Sequence, residues 1–155
     1  MDGLVKQGAS YTARDASRLS GATLSQIENL VRTGVVRPQR EALRRCVSRL
    51  YSLRGVAEIA IAAQLMDVGV PVRALQLVIE TIRAAWRENK AVLALSRGTP
   101  QGADFSAWTG LNFMRPQDVT EWLDAGHSGI VVNLRAILER LEAESGDTLD
   151  ERRAS

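Results

Sequence analysis

Residues 11–38 read YTARDASRLSGATLSQIENLVRTGVVRP, and this stretch carries the strongest local structural signal in the chain. Thr12 with Asp15, and Thr23 with Gln26, have the spacing of capping boxes, in which two side chains satisfy backbone groups at a helix start. Apolar residues recur at helical spacing after each cap. Each segment ends at a glycine, which suits a left-handed turn at a helix C-terminus: Gly21 and Gly34. The stretch therefore predicts two short helices joined by a tight turn, as in a helix-turn-helix.

The residues after these helices predict a β-hairpin that projects as a wing. β-branched Val35 and Val36 indicate a strand, Pro38 interrupts it, and residues 47–51 indicate a returning strand. Arginines lie between and on these strands, opposed by a single acidic residue, Glu41. They are Arg37, Arg40, Arg44, Arg45 and Arg49. Their density favours contact with phosphates, and the alternative is a disordered basic loop.

Formal charge is distributed unevenly along the chain, although the total is only +2. Ten basic and four acidic residues lie at or before Gly55, whereas ten basic and fourteen acidic residues follow it. Clustered arginine and lysine drive phosphate binding, so the asymmetry indicates that the first third of the chain faces a polyanion. A solvated arginine-rich surface without a partner would show the same asymmetry.

Two further helices are expected in the middle of the chain, with their apolar faces in the core. Ser52 can cap the first, which breaks at residues 68–70. Pro71 opens the second, which extends toward residue 90.

The pattern changes from Ala91 to short apolar runs and turn-rich stretches, which predict two or three short strands. Pro116 opens a short helix that ends near Gly126, and a buried strand is expected at residues 130–132. A helix with an apolar face follows this strand.

The predicted fold class is therefore mainly α with a small β content (α+β). Residues 1–90 are expected to form an N-terminal winged helix-turn-helix domain. Residues 91–143 are expected to form a small α+β domain for dimerisation or effector binding, and residues 144–155 a polar, frayed tail. A chain of 155 residues can bury one ordinary core or two small ones.

The order of these elements resembles the MerR family of bacterial regulators over about residues 11–83. Three strings carry the resemblance: the opening stretch quoted above, RLYS at residues 49–52, and MDVGVPVRAL at residues 66–75. The resemblance implies a winged helix-turn-helix transcriptional regulator that binds double-stranded promoter DNA as a homodimer. RNA polymerase is then a further candidate partner.

Carried over by position, the resemblance makes residues 23–33 the recognition helix. The residues that it places at the DNA are Thr23, Ser25, Gln26 and Asn29. Gln26 and Asn29 can each form a two-pronged contact with adenine. The resemblance also implies that the wing arginines and Arg49 neutralise phosphates, which fixes register without reading sequence, while Tyr51 packs the wing against the body.

The chain departs from the family at Glu28, Asn29 and Leu30, where the family usually has an arginine followed by two aromatic residues. A carboxylate at Glu28 repels phosphate. Either Glu28 accepts a hydrogen bond from a cytosine amine or a neighbouring arginine, or the helix docks differently. The long heptad-patterned dimerisation helix of the family is not recognisable, so dimerisation is expected to use another element.

Signals for catalysis and metal binding are weak. The single cysteine, Cys46, excludes an intramolecular disulfide, and together with the single histidine, His127, it falls short of a typical metal site. No nucleophile motif accompanies His127, so we expect neither an enzyme nor a cofactor. Four aromatic residues could line a ligand pocket or simply fill the core: Phe105, Trp108, Phe113 and Trp122.

No apolar run in the sequence is long enough to span a bilayer, and the opening residues MDGLVKQGAS lack the pattern of a signal peptide. We therefore expect a cytoplasmic protein without a membrane partner. The leading hypothesis is a sequence-specific DNA-binding transcriptional regulator. One alternative is an excisionase-like architectural protein of a phage or mobile element that bends DNA, and another is an antitoxin-like protein-interaction module.

Overall fold

The computed structural model describes residues 9–39, 48–87, 92–96, 110–126 and 129–154. Within them the helices are α1 Ala13–Ser20, α2 Leu24–Arg32, α3 Leu53–Asp67, α4 Val72–Arg87, α5 Asp118–Asp124 and α6 Leu134–Ala154. The strands are β1 Tyr11–Thr12, β2 Leu50–Tyr51, β3 Val92–Ser96, β4 Gly110–Met114 and β5 Gly129–Asn133. The chain is thus mainly helical with two small antiparallel sheets, one joining β1 to β2 and one in the order β4, β3, β5. This confirms the α+β class.

The first two helices begin as the sequence predicts. The Thr12 hydroxyl accepts from the Asp15 backbone N at 3.3 Å, and the Asp15 carboxylate accepts from the Thr12 N at 2.8 Å. The same reciprocal pair joins Thr23 and Gln26. The predicted glycine stops also hold, with φ of +77° at Gly21 and +75° at Gly34. Local hydrogen bonding therefore fixes both helix starts, as the capping pattern indicates.

The strand predicted at Val35 and Val36 is wrong. Both backbone N–H groups donate to the Leu30 carbonyl, at 2.9 and 3.2 Å, and both side chains are buried. The last turn of a helix has carbonyls without intrahelical donors, and this reversal supplies the donors while it directs two valines into the core. The β-branched pair therefore closes the end of α2 instead of starting a hairpin.

The returning strand is present only as β2, and its partner differs from the prediction. Leu50 pairs with Thr12 and Tyr51 with Tyr11, so β2 completes a ladder with the residues before α1. Tyr51 is buried, as expected for packing against the body. The rest of the predicted wing, residues 40–47 with Arg40, Arg44 and Arg45, lies outside the described residues.

Helix α3 is the centre of the core. Residues 55–63 are all buried, and α1, α2, α4 and α6 pack around them. Ser52 caps the helix as predicted, since its hydroxyl accepts from the Gly55 N at 3.1 Å. The predicted break after α3 is also present, with φ of +91° at Gly69. A helix whose middle turns are mostly apolar is stable only when other elements cover those turns, which explains the central position of α3.

One ion pair is built into this core. The Arg83 guanidinium on α4 donates to both carboxylate oxygens of Glu58 on α3, at 2.8 Å each, and Glu58 is only 6% exposed. Arg83 also donates to the Val35 carbonyl at 3.2 Å. The hydrogen bond with Glu58 raises the pKa of Arg83 above its usual value against the opposing effect of burial, so the arginine stays charged. The pair therefore connects α3 and α4 to the chain that leaves α2.

The C-terminal helix is longer than the sequence predicts. Helix α6 continues to Ala154, so the tail expected to fray after residue 143 is helical. Leu134, Leu141 and Ser145 are buried, and α6 packs against α1 and α3. A helix whose first turns are anchored in a core can continue through polar residues, because only nucleation is costly and each added residue gains a backbone hydrogen bond. The division of the chain at residue 90 stays a prediction, and the structure adds that both parts share one apolar cluster.

The helices of the described segments include none that is both long and apolar enough to cross a bilayer.

Candidate nucleic-acid interface

Helix α2 presents one face to the core and another to solvent. Ile27 and Leu30 are buried, because they follow the 3.6-residue period toward α1 and α3. The outward side consists of exposed residues, which we call the α2 face: Leu24, Ser25, Glu28 and Arg32. A helix with such a rigid, capped start and an uncovered outer side has the shape that enters a major groove.

Two of the predicted base-reading residues, Thr23 and Gln26, form the N-terminal cap of α2. The Gln26 side-chain oxygen accepts from the Thr23 backbone N at 2.9 Å, while the Thr23 hydroxyl accepts from the Gln26 N at 3.1 Å. A two-pronged contact between Gln26 and adenine would have to share or open this capping box. Thr23 and Gln26 therefore act first as structural residues of the helix start.

The role of Thr23 in the cap leads to a stability prediction. Thr23→Ala should lower the free energy of unfolding by about 1 kcal/mol, because an N-cap hydroxyl is lost. The matched control is Ser25→Ala, two residues on, where the side chain is exposed and the expected change is within about 0.5 kcal/mol. Urea denaturation followed by circular dichroism compares the two. Equal midpoints for both variants would contradict the capping role.

Asn29 and Ser25 differ in how accessible they are. The Asn29 side-chain oxygen accepts from Arg32 Nη2 at 2.8 Å, and the residue is half-buried. Its amide donors can still reach a base acceptor, but a two-pronged adenine contact needs the oxygen as well. Ser25 is exposed in the first turn of α2. Among the predicted base-edge residues, Ser25 is thus the one whose surroundings fit the prediction without rearrangement.

The unexpected acid on this helix is held by an arginine. Glu28 Oε2 lies 2.6 Å from Arg49 Nη1, with the two side chains 65% and 31% exposed. Of the alternatives that the sequence leaves open, the free protein therefore uses a neighbouring arginine. The predicted phosphate contact of Arg49 has to compete with this ion pair. The pair also ties the outer side of α2 to the residue that precedes β2.

The arginine-bearing segment starts and ends beside this pair. The Gln39 N donates to the Leu50 carbonyl at 2.7 Å, which holds together the two ends of the stretch that contains residues 40–47. That stretch has the sequence REALRRCV, with three arginines and one glutamate. Arg37, three residues before this stretch, is exposed. The structure therefore brings Arg37 and Arg49 to the borders of the segment, and Arg49 to the α2 face.

Sequence reasoning missed two members of the α2 face, Leu24 and Arg32. Leu24 is a large apolar side chain that is 51% exposed in the first turn, on the same side as Ser25 and Glu28. Apolar side chains in this position can contact the methyl group of thymine. The helical period places residues 24, 25, 28 and 32 on one side, so a helical-wheel argument from the buried Ile27 would have found them.

A cleft of about 400 Å³ lies at the C-terminal end of α3, between that helix, β5 and α6. Leu65, Val68 and Ile137 supply apolar walls, and Arg140 is its cationic side chain. Of the aromatic residues considered from the sequence for a pocket, Trp122 is half-buried on α5, and Phe105, Trp108 and the side chain of Phe113 lie outside the described residues. In the described segments no three His, Cys, Asp or Glu residues cluster as a metal site, and Cys46 and His127 lie outside those segments.

No protein-family model matches this chain, and no curated protein is significantly similar to it.

Proposed function

We propose that this chain is a sequence-specific DNA-binding transcriptional regulator that acts as a homodimer through a MerR-like winged helix-turn-helix over about residues 11–83. The observation that carries the proposal is that an exposed helix face and an arginine-rich segment lie next to each other. An exposed helix face, suited to a major groove, is joined by the Glu28–Arg49 ion pair to a segment rich in arginine.

The rigidity of α2 supports this function. Its start is fixed by the Thr23 capping box, and its end by the reversal that inserts Val35 and Val36 into the core. A reading helix must hold its side chains in place, because each base contact depends on a hydrogen-bond geometry of a few tenths of an ångström. The α2 face would then read bases, and the arginines of residues 37–49 would contact phosphates on either side.

The distribution of charge supports a nucleic-acid partner over other partners. The chain up to Gly55 has six more basic than acidic residues, and the chain after it has four more acidic than basic residues. A cationic end with an anionic remainder orients the molecule toward a polyanion and disfavours binding through the other end. Two copies would place two α2 helices about one helical turn of DNA apart.

Binding to fragmented genomic DNA across a range of salt concentrations tests the proposal. We expect log Kobs to fall linearly with log salt, with a slope of about 0.9 for each phosphate neutralised. Sequencing of the bound fragments should reveal a two-fold operator near promoters. Enrichment of recombination attachment sites would favour the architectural alternative, and absence of binding at low salt would remove DNA as the partner.

A further inference from the structure

We propose that Glu28 is a specificity-determining residue that withholds Arg49 from phosphates until the α2 face meets a cytosine amine. The inference rests on the proposed DNA-binding function and deepens it. Under this inference Glu28 on α2 recognises the N4 amine of cytosine, and the Glu28–Arg49 ion pair takes part in sequence discrimination.

The Glu28 carboxylate is accessible to a base even while it is paired with Arg49. Glu28 is 65% exposed on the side chain, so its carboxylate is reachable from solvent even while Oε2 accepts from Arg49. It lies one turn after Leu24 and Ser25 on the same outward side of α2. A base that approaches Ser25 therefore approaches the Glu28 carboxylate as well.

Charge explains why mixed-sequence DNA would bind weakly to this arrangement. Arg49 and Glu28 together have no net charge, and a phosphate that reaches Arg49 also meets the carboxylate beside it. Repulsion between two like charges about 4 Å apart in water corresponds to about a fivefold loss of affinity. The acid therefore penalises every complex in which it gains no new partner.

A cytosine amine removes this penalty. The N4 amine of cytosine is a donor on the major-groove edge, and glutamate is a recognised acceptor for it. A carboxylate has about four lone-pair positions, so Glu28 can accept from the amine with one oxygen while Arg49 shifts toward a neighbouring phosphate. Discrimination then arises because the correct site satisfies the acid and incorrect sites do not.

The test compares Glu28→Gln with Glu121→Gln, in full-length protein. Both variants remove one exposed carboxylate and change net charge equally, but Glu121 lies on α5. The probe is sonicated mixed-sequence duplex DNA at several salt concentrations. Glu28→Gln should bind it about fivefold more tightly than the wild type, with a salt slope steeper by about one. Glu121→Gln should stay within about twofold of the wild type, because α5 is not among the elements proposed to contact DNA and exposed charges are screened by salt.

A selection from random duplexes provides the second readout. The wild type and Glu121→Gln should enrich cytosine at one position of each half-site, and Glu28→Gln should lose that preference. The double variant Glu28→Gln with Arg49→Gln should lose the added affinity for mixed DNA, because the proposal makes the phosphate contact of Arg49 its source.

The outcomes separate this inference from the proposed function. If wild type binds DNA but Glu28→Gln gains no more affinity than Glu121→Gln, or keeps the cytosine preference, the inference is overturned and DNA binding stands. If no form binds duplex DNA even at low salt, the proposed function fails, and the inference falls with it. Circular dichroism confirms that each variant is folded before it is compared.

Discussion

Alanine in place of Arg44, Arg45 and Arg49 together should weaken binding to double-stranded DNA by about two orders of magnitude at about 0.1 M salt. Each arginine that contacts a phosphate releases counterions, so three lost contacts reduce the salt slope by about 2.7. If Glu28 keeps Arg49 from phosphate in mixed-sequence complexes, the reduction there is about 1.8. Fluorescence anisotropy against salt measures both quantities.

A matched triple variant serves as the control. Arg73, Arg135 and Arg140 lie on α4 and α6, which are not among the elements proposed to contact DNA, and their replacement by alanine removes the same total charge. We expect its salt slope to equal that of the wild type, with only a small loss of affinity from the change in long-range field. Equal losses in the two triple variants would mean that net charge alone drives binding and that the arginine segment has no special role.

The parts of the fold that the sequence predicts best are those fixed by local hydrogen bonds. The two capping boxes, the Ser52 cap and the left-handed glycines all depend on residues within four positions of each other. Their patterns are therefore visible in a short window, and the structure confirms them.

The prediction failed where pairing partners are distant in sequence. Val35 and Val36 are β-branched, as strand residues often are. Their N–H groups instead donate to the end of α2 and their side chains fill the core, so the chain reverses direction there. β2 found its partner in Tyr11 and Thr12, about forty residues away, and no local pattern indicates that register. The extension of α6 likewise depends on packing against α1 and α3.

In the candidate site, too, the local features follow from the sequence and the long-range contact does not. The position of α2 and the exposure of Ser25 follow from the sequence, whereas the pairing of Glu28 with Arg49 joins residues 21 positions apart. The sequence raised a neighbouring arginine as one option for Glu28, and only the fold could select it. The capping spacing of Thr23 and Gln26 is visible in the sequence, and it predicts that the Gln26 side chain is engaged at the helix start.

Glu58→Ala should lower the free energy of unfolding by about 3 kcal/mol. The substitution leaves Arg83, whose side chain is 27% exposed, without the carboxylate that accepts two of its hydrogen bonds. Partial exposure of Arg83 keeps the expected cost at the lower end of values for buried pairs, because water can solvate part of the guanidinium. Urea denaturation monitored by circular dichroism measures the change.

Two further variants identify the source of this cost. Glu139→Ala removes an exposed acid from α6 and should change stability by less than about 0.5 kcal/mol. Replacing both Glu58 and Arg83 by methionine should recover most of the stability, because no unpaired charge remains in the core. A double variant as unstable as Glu58→Ala would show instead that the loss comes from the missing ion pair itself and not from the stranded arginine.

Glu58→Ala is also expected to affect the proposed DNA interface, because Arg83 contacts the backbone that follows α2. Arg83 donates to the carbonyl of Val35, and Val35 in turn donates to the last turn of α2. When Glu58 is removed, Arg83 is free to leave this carbonyl, and the C-terminal end of α2 loses a support while its capped start is unchanged. Glu58→Ala should therefore weaken DNA binding severalfold under conditions in which the variant is still fully folded. Unchanged affinity in that range would mean that the cap and the buried valines alone hold the reading helix.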